Sequence, residues 1–177
     1  MKDVLKSMED KAFWGHEFLT WLWYRSEAEG GELEAAGLGL VTLWIDDRIV
    51  LGSLDTESKE NILKQGDVSR SGEAARALQL GKKLQQARFG MTLEDREYSF
   101  VLDGTRLDWN SVRLPKTLAE EEDDWHATAL IRQGLIRECM DVLDDLFAQF
   151  CRTRISPQWG SEVLPRMARW IAEKEGG

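Results

Sequence analysis

Apolar residues near the start of the chain recur with the spacing of one helix face. They are Trp14, Phe18, Leu19, Trp21, Leu22 and Trp23. This period predicts an amphipathic helix over residues 10–26, in which Gly15 weakens the first turn. The two glycines of "EGGE", residues 29–32, end the pattern.

β-Branched and aromatic residues dominate the next part of the chain, and they favour strands. Residues 37–54 predict two strands that meet in a tight turn at Asp46-Asp47. Residues 60–67 predict a short further strand. The three segments 83–93, 97–104 and 106–115 then read as a meander, with breaks at "EDRE" and "DGT".

Helix signals occupy the middle and the last third of the chain. Ser69 or Ser71 is expected to cap a helix through residues 72–83. Its buried side would be Ala74, Ala77 and Leu78. Residues 130–151 predict a long helix with two apolar stripes about 100° apart. One stripe is Leu135, Cys139, Val142, Leu146 and Phe150, and the other is Ile136, Met140, Leu143, Phe147 and Cys151. Ser161 is expected to cap a last helix with Leu164, Met167, Trp170 and Ile171 inside.

These elements predict an α+β fold. It has an antiparallel sheet of about five to seven strands, an N-terminal Trp-rich helix, a middle helix and two C-terminal helices. At 177 residues, one domain is expected over 1–177, with a sheet region at 1–116 and a helical region at 117–177. Core packing is the better account of the N-terminal tryptophans, because they alternate with Phe and Leu at helical spacing.

The charge pattern and the cysteines indicate which partners and which cellular location to expect. The net charge of −9 is unevenly spread, since the stretch from Lys64 to Arg88 is locally basic. Cys139 and Cys151 would lie ~18 Å apart on one helix and cannot pair, which favours a reducing, cytoplasmic location. No apolar run approaches the ~18 residues that span a membrane, so no membrane contact is expected.

Catalytic chemistry finds little support in the sequence. His16 and His126 have no partners at metal-ligand spacing, so no metal or other cofactor is expected. The segment "LGKKL", residues 80–84, lacks the pattern of a P-loop and is better explained as a helix end. Asp46 followed by Glu57 and Lys59 resembles a metal-dependent nuclease, although a turn followed by a polar loop explains the same residues.

Three segments resemble, in order, the C-terminal part of the RdgC family, recombination-associated proteins of bacteria. They are "EFLTWLWYRSEAEGG", "LKQGDVSRSGEAARALQLGKKL" and "MTLEDREYSFVLDGTRLDWNSVRLP", which together span Glu17 to Pro115. The resemblance implies a non-enzymatic protein. Members of that family form ring-shaped dimers that hold duplex DNA without sequence preference and restrain the RecA recombinase. This chain is shorter than typical members, and its acidic C-terminal helices match no part of the family.

The resemblance and the basic stretch together predict the DNA-binding residues. Lys64 and Gln65 match a Lys-Gln pair on the DNA side of the family, and Arg70 and Lys82 match a turn and a helix end. The complete predicted set is Lys64, Gln65, Arg70, Arg76, Lys82, Lys83 and Arg88. We therefore expect a cytoplasmic, homo-oligomeric protein of DNA recombination or another DNA-associated process. The alternative is a protein-interaction module without DNA binding, whose acidic surface takes a basic protein partner, and a metal-dependent nuclease is the third hypothesis.

Overall fold

The structure, a computed structural model, describes residues 11–28, 30–35, 37–52, 61–64, 71–116 and 124–174. Within these ranges the chain forms four helices and a six-stranded antiparallel sheet, which confirms the predicted α+β class. In chain order the elements are α1 (Lys11–Ala28), β1 (Glu32–Ala35), β2 (Gly39–Gly52), β3 (Asn61–Lys64), α2 (Gly72–Gln79), β4 (Lys83–Leu93), β5 (Arg96–Asp103), β6 (Asp108–Arg113), α3 (Trp125–Ile155) and α4 (Leu164–Glu173).

Strand β2 is the longest strand and organises the sheet. One of its edges pairs with β1 near its start and with β3 near its end, and the other edge pairs with β4. The meander β4-β5-β6 continues the sheet from there, as the sequence predicts.

The predicted turn at Asp46-Asp47 is wrong, because both residues lie inside β2. The pairing between β2 and β4 shifts between Ile45 and Ile49, so three residues of β2 face one residue of β4. Such a bulge absorbs the extra polar residues without reversing the chain. The eleven-residue β4 pairs with β2 on both sides of the bulge and holds it as one strand.

The hydrophobic core lies on one side of the sheet. Each of the four helices contributes buried residues to it, together with alternate residues of the strands. The described helices therefore form one layer, and the sheet forms the other. The buried side chains Val50 and Val101 belong to the opposite side of the sheet and do not join this core.

Helix α1 packs along the middle of the sheet, and its tryptophans are core residues, as predicted. Trp21 and Trp23 are at most 1% exposed. The rings of Phe18 and Trp21 lie 5.5 and 5.6 Å from the ring of Phe150 on α3. The hydroxyl of Thr20 accepts a hydrogen bond from the backbone N–H of Leu84, which fixes α1 on β4.

Helix α2 begins where the sequence indicates and ends at Gln79, before the predicted end at residue 83. The side chain of Ser71 accepts a hydrogen bond from the backbone N–H of Ala74, the usual N-terminal cap. Gly81 follows the helix at φ +81°, a left-handed conformation that suits glycine. The buried side of α2 includes the three predicted residues. The alternative cap, Ser69, lies outside the described residues.

Helix α3 is longer than predicted, and only one of its two stripes is buried. The stripe from Leu135 to Phe150 lies fully inside the core. The second stripe is half-exposed, with Ile136 at 39% and Met140 at 44%. The sheet and α1 cover only one side of α3. The first stripe lies in the centre of that covered side, and the second stripe lies at its border.

The predicted cap at Ser161 is wrong. Residues Trp159–Val163 form a wide π-helical turn that leads directly into α4, and the Ser161 hydroxyl donates to the Pro157 carbonyl. Met167 and Trp170 are buried as expected, whereas Leu164 is 46% exposed.

One carboxylate fastens α4 to α1. Glu27 accepts hydrogen bonds from the indole N–H groups of Trp23 (2.6 Å) and Trp170 (2.9 Å), and it pairs with Lys174 at 2.6 Å. A partly buried carboxylate with three partners orients both indoles, so the last helix is a fixed part of the fold.

Candidate functional site

The side of the sheet opposite the helices carries the strongest candidate site. We call it the open face, because no described helix packs against it. Its residues follow from the strand registers: Trp44, Arg48, Lys64, Arg88, Ser99, Val101, Asn110 and Arg113. Neighbouring residues along each strand point into the core, since side chains alternate between the two faces of a strand.

Three cations form a row across the open face. Lys64 on β3 is the register partner of Arg48 on β2, and Arg88 on β4 lies opposite the bulge that follows Ile45. With strands about 4.8 Å apart, this row covers about 10 Å of the sheet. Arg113 on β6 is exposed and adds a fourth cation at the other edge. The bulge of β2 places Arg48 near Arg88, so that both belong to this row.

The electrostatics of the open face change along the strands. Arg88 is mostly covered and pairs with Asp47 at 3.3 Å, so part of its charge is offset within the chain. At the far end of the face, Glu32 and Glu97 flank the paired residues Thr42 and Thr92. Thr92 lies four residues from Arg88, or about 13 Å along the strand. The cation row therefore lies between two acidic parts of the face, because the register partners Asp103 and Asp108 follow two residues beyond Val101.

Trp44 lies in the middle of the open face. Its register partner is Gly90, and a Cβ at position 90 would lie only 2.2–2.4 Å from atoms of the indole ring. The ring consequently covers the backbone of β4 where no side chain can fit. Trp44 is half-buried, so the indole both packs on the sheet and presents a surface beside the cations.

Two polar atoms of the open face have unused hydrogen-bonding capacity. Arg48 Nε and Ser99 Oγ are shielded from solvent, and neither has a hydrogen-bond partner in the part of the chain that the structure describes. Shielded donors without partners are uncommon, because each one lowers the stability of the folded protein by about 1–3 kcal/mol. An anion on this face would supply an acceptor for such groups.

The structure divides the predicted DNA-binding residues between the two layers. Lys64 and Arg88 lie on the open face. Arg76 is exposed on α2, and Lys83, the first residue of β4, pairs with Glu17 of α1 at 2.7 Å, so both side chains lie on the helix side of the sheet. Lys82 lies in the turn between α2 and β4. Gln65 and Arg70 lie outside the described residues.

Sequence reasoning missed three residues of this site: Arg48, Arg113 and Trp44. A signal was present, because Trp44, Arg48 and Val50 are four and two positions apart, and even spacings place residues on one face of a strand. The predicted turn at Asp46-Asp47 concealed it by assigning Trp44 and Arg48 to different strands.

Of the three residues in the nuclease hypothesis, the structure describes only Asp46. Asp46 lies within β2, while Glu57 and Lys59 fall outside the described residues. Among the described residues no group of three or more His, Cys, Asp or Glu side chains could hold a metal ion. Cys139 and Cys151 are both free thiols, consistent with the prediction that they cannot pair.

Neither thiol is activated as a nucleophile. Burial, followed by the nearby Glu138 charge, raises the pKa of Cys139 to about 12. Burial also raises the pKa of Cys151. Since the thiolate is the reactive form, a raised pKa makes both thiols less reactive than an ordinary cysteine at neutral pH.

Comparisons with known proteins do not assign the chain to a family. No model of a known protein family matches the chain, and a search of curated proteins finds no match either. None of the described helices combines the length and apolar character needed to cross a lipid bilayer.

Proposed function

We propose that this chain is a non-enzymatic DNA-binding domain that holds the phosphate backbone of duplex DNA on its open face. The observation that carries the proposal is the row of Lys64, Arg48 and Arg88 beside Trp44, with Arg113 on the same face. Guanidinium and ammonium groups contact phosphate oxygens without reading base sequence. The resemblance to the RdgC family favours the same chemistry and a role in recombination or another DNA-associated process in the bacterial cytoplasm.

The chain has a net charge of −9, but its acidic residues do not all lie near the open face. The acidic residues Asp141 and Asp144 of α3 belong to the helix layer, on the other side of the sheet. At 0.1 M salt, charges more than about 10 Å apart are largely screened in solvent. The field of the whole chain still repels DNA at low salt, so weak affinity is expected.

The salt dependence of binding follows from the number of cations. Three or four phosphate contacts, each with a slope of about −0.9, give a log–log slope of roughly −3 for duplex DNA. Because phosphate contacts carry no sequence information, two unrelated duplexes should bind equally well. Fluorescence anisotropy with two labelled duplexes over a salt series measures both quantities.

A pair of double variants tests whether the open face is the binding surface. Lys64→Glu with Arg113→Glu reverses two exposed cations at opposite edges of the sheet. Arg76→Glu with Arg169→Glu makes the same change of charge on exposed residues of the helix layer. We expect the first double variant to lose binding and the second to retain most of it, with circular dichroism confirming that both fold.

Two results would overturn the proposal. If the unmodified protein binds neither duplex at low salt, this chain is not a DNA-binding domain by itself. If both double variants weaken binding equally, affinity depends on total charge and the open face has no special part in it.

A protein-interaction module is the second candidate function. It is favoured by a different observation, the exposed apolar residues along the second stripe of α3.

A further inference from the structure

A cavity lies where α1 and α3 meet the end of the sheet at which β5 turns into β6. It encloses about 290 Å³. An apolar cavity of about 150 Å³ is already large enough to bind benzene, so this one has room for a ring with a short chain. Its apolar lining consists of Phe18, Leu19, Leu102, Leu107, Trp109, Met140, Leu143 and Phe147.

The charged part of the lining has a single sign. Asp103, Asp108 and Asp144 line the cavity, and no described lysine, arginine or histidine does. The Asp103 carboxylate is occupied within the chain, because it accepts hydrogen bonds from two backbone N–H groups of the following turn and from the side chain of Gln86. Asp108 and Asp144 are exposed, and their carboxylates have no ion pair or hydrogen bond to another described residue. Both therefore remain available to a cation.

A strained residue borders the same cavity. Leu107 has φ +54°, a left-handed conformation that leucine rarely adopts, and it is 39% exposed. Backbone strain of this kind persists where the surrounding structure fixes it, and it is concentrated at functional sites such as ligand clamps. The turn between β5 and β6 thus holds an apolar side chain at the mouth of the cavity, where a bound apolar group would cover it.

We propose that this cavity binds a small organic ammonium compound, in which a compact apolar body carries a cationic head. The apolar body contacts Phe18, Trp109 and Phe147 and leaves water there. The ammonium group stays at the mouth and pairs with Asp144 on α3 and Asp108 on β6. An ammonium group is charged at neutral pH and can only donate hydrogen bonds, so it suits carboxylates that lack a partner.

The shape of the site favours a small molecule over a protein partner. Small-molecule cavities are usually about 300–1,000 Å³ and mostly apolar, with a few polar groups that fix the orientation of the ligand. A stable protein interface instead covers about 800 Å² of each partner. The acidic lining also selects against compounds with an anionic head, such as fatty acids, because like charges would be brought together.

This inference does not rest on DNA binding. The cavity lies beneath α3, whereas the proposed DNA contacts are the cations Lys64, Arg48 and Arg88 of the open face. A protein that binds the amine and not DNA, or DNA and not the amine, would separate the two proposals.

Methionine methyl groups give a local measurement of binding. Met140 lines the cavity, whereas Met167 is buried on α4. In protein labelled with ¹³C at the methionine methyls, phenethylamine should shift the Met140 NMR signal in a saturable way and leave Met167 unchanged. Phenethyl alcohol, which has the same apolar body and no charge, should bind about five- to tenfold more weakly, since ion pairs at an exposed mouth contribute modestly. The anion phenylacetate should not shift the signal.

A pair of double variants separates the two carboxylates from the net charge of the chain. Asp108→Asn with Asp144→Asn removes both proposed partners, so phenethylamine should then bind no better than phenethyl alcohol. Asp95→Asn with Glu97→Gln removes the same amount of charge from exposed residues at the other end of β5. This control should leave the affinity for phenethylamine unchanged.

Leu107→Asn tests the apolar mouth. Asparagine tolerates the left-handed conformation, so the turn should be retained, and circular dichroism checks the fold. The variant should bind both phenethylamine and phenethyl alcohol about fourfold more weakly, the effect of withdrawing about one methylene group from apolar contact. Leu80→Asn is the matched control, because Leu80 is 71% exposed in the turn after α2 and should not affect binding.

Four outcomes would overturn the inference. The first is a Met140 signal that does not respond to phenethylamine, and the second is equal binding of phenethyl alcohol by the unmodified protein. The third is an equal loss of affinity in both double variants, which would assign the effect to net charge. The fourth is a helical peptide of leucine and lysine that shifts Met140 with a Kd about tenfold lower, which would identify the occupant as a basic protein helix.

Discussion

Gly15 packs directly against the backbone of Gly104, and replacing Gly15 with alanine should destabilise the fold. In an ordinary helix, Gly→Ala stabilises by about 0.5–1 kcal/mol, because glycine loses more conformational freedom on folding. In this protein, a Cβ at position 15 would lie 1.8 Å from the carbonyl oxygen of Gly104 and 2.6 Å from its carbonyl carbon. Backbone atoms cannot rotate away as a side chain can, so α1 or the β5–β6 turn must move.

The cost follows from what that movement disturbs. The Gly104 N–H donates to the Gln85 carbonyl at 2.8 Å, and Thr105 Oγ1 lies 3.0 Å from His16 Nε2. Overpacking typically costs about 1–3 kcal/mol and occasionally more. A displaced hydrogen bond adds about 1 kcal/mol. After the helix-propensity gain is subtracted, Gly15→Ala should lower the free energy of unfolding by about 1–3 kcal/mol.

Gly134→Ala is the matched control. It also lies inside a helix, but a Cβ there would have no heavy atom within 4 Å. It should stabilise the protein by about 0.5–1 kcal/mol. Urea unfolding followed by tryptophan fluorescence, at one fixed protein concentration, measures both changes. If Gly15→Ala is as stabilising as Gly134→Ala, α1 does not approach the β5–β6 turn as closely as described and the packing argument fails.

Three other predictions concern the core, the thiols and catalysis. Phe150→Ala should cost about 3–5 kcal/mol in urea unfolding, because the ring is fully buried among aromatic side chains, and a loss below 1 kcal/mol would contradict that packing. Iodoacetamide should modify Cys151 first and Cys139 only on unfolding, as measured by mass spectrometry. The free energy of unfolding should fall as the pH rises from about 8.5, the thiol pKa in the unfolded chain, towards about 12, the pKa of Cys139 in the folded protein. Plasmid DNA incubated with the protein and Mg²⁺ should stay intact, and cleavage lost on Asp46→Ala would instead support the nuclease hypothesis.

Local signals predicted most elements because those elements depend on neighbouring residues. The helix caps, the glycines after α1 and α2 and the alternation in β4 and β5 act within a few positions. Two wrong predictions, the turn at Asp46-Asp47 and the cap at Ser161, involve residues with good local propensity for those roles. Pairing with β4 overrides the first, and the continuous helical path from Pro157 overrides the second.

The candidate site was only partly predictable. Lys64 and Arg88 are recognisable as bases in the sequence, yet nothing local says that they share a face while Lys83 does not. That distinction depends on tertiary contact, since the Lys83 ammonium at the start of β4 pairs with Glu17 of α1. The bulge in β2 likewise places Arg48 beside Lys64 and Arg88.

The sequence by itself determined the α+β class, the order of the elements, the helical period of the apolar residues in α3 and the inability of the two cysteines to pair. Each follows from periodicity or from chain geometry, which are local properties. The tertiary structure alone decided which cations face away from the helices, why α1 needs a glycine at position 15, and which apolar stripe of α3 remains exposed. These depend on contacts between residues far apart in the chain, and only packing against specific neighbours can fix them.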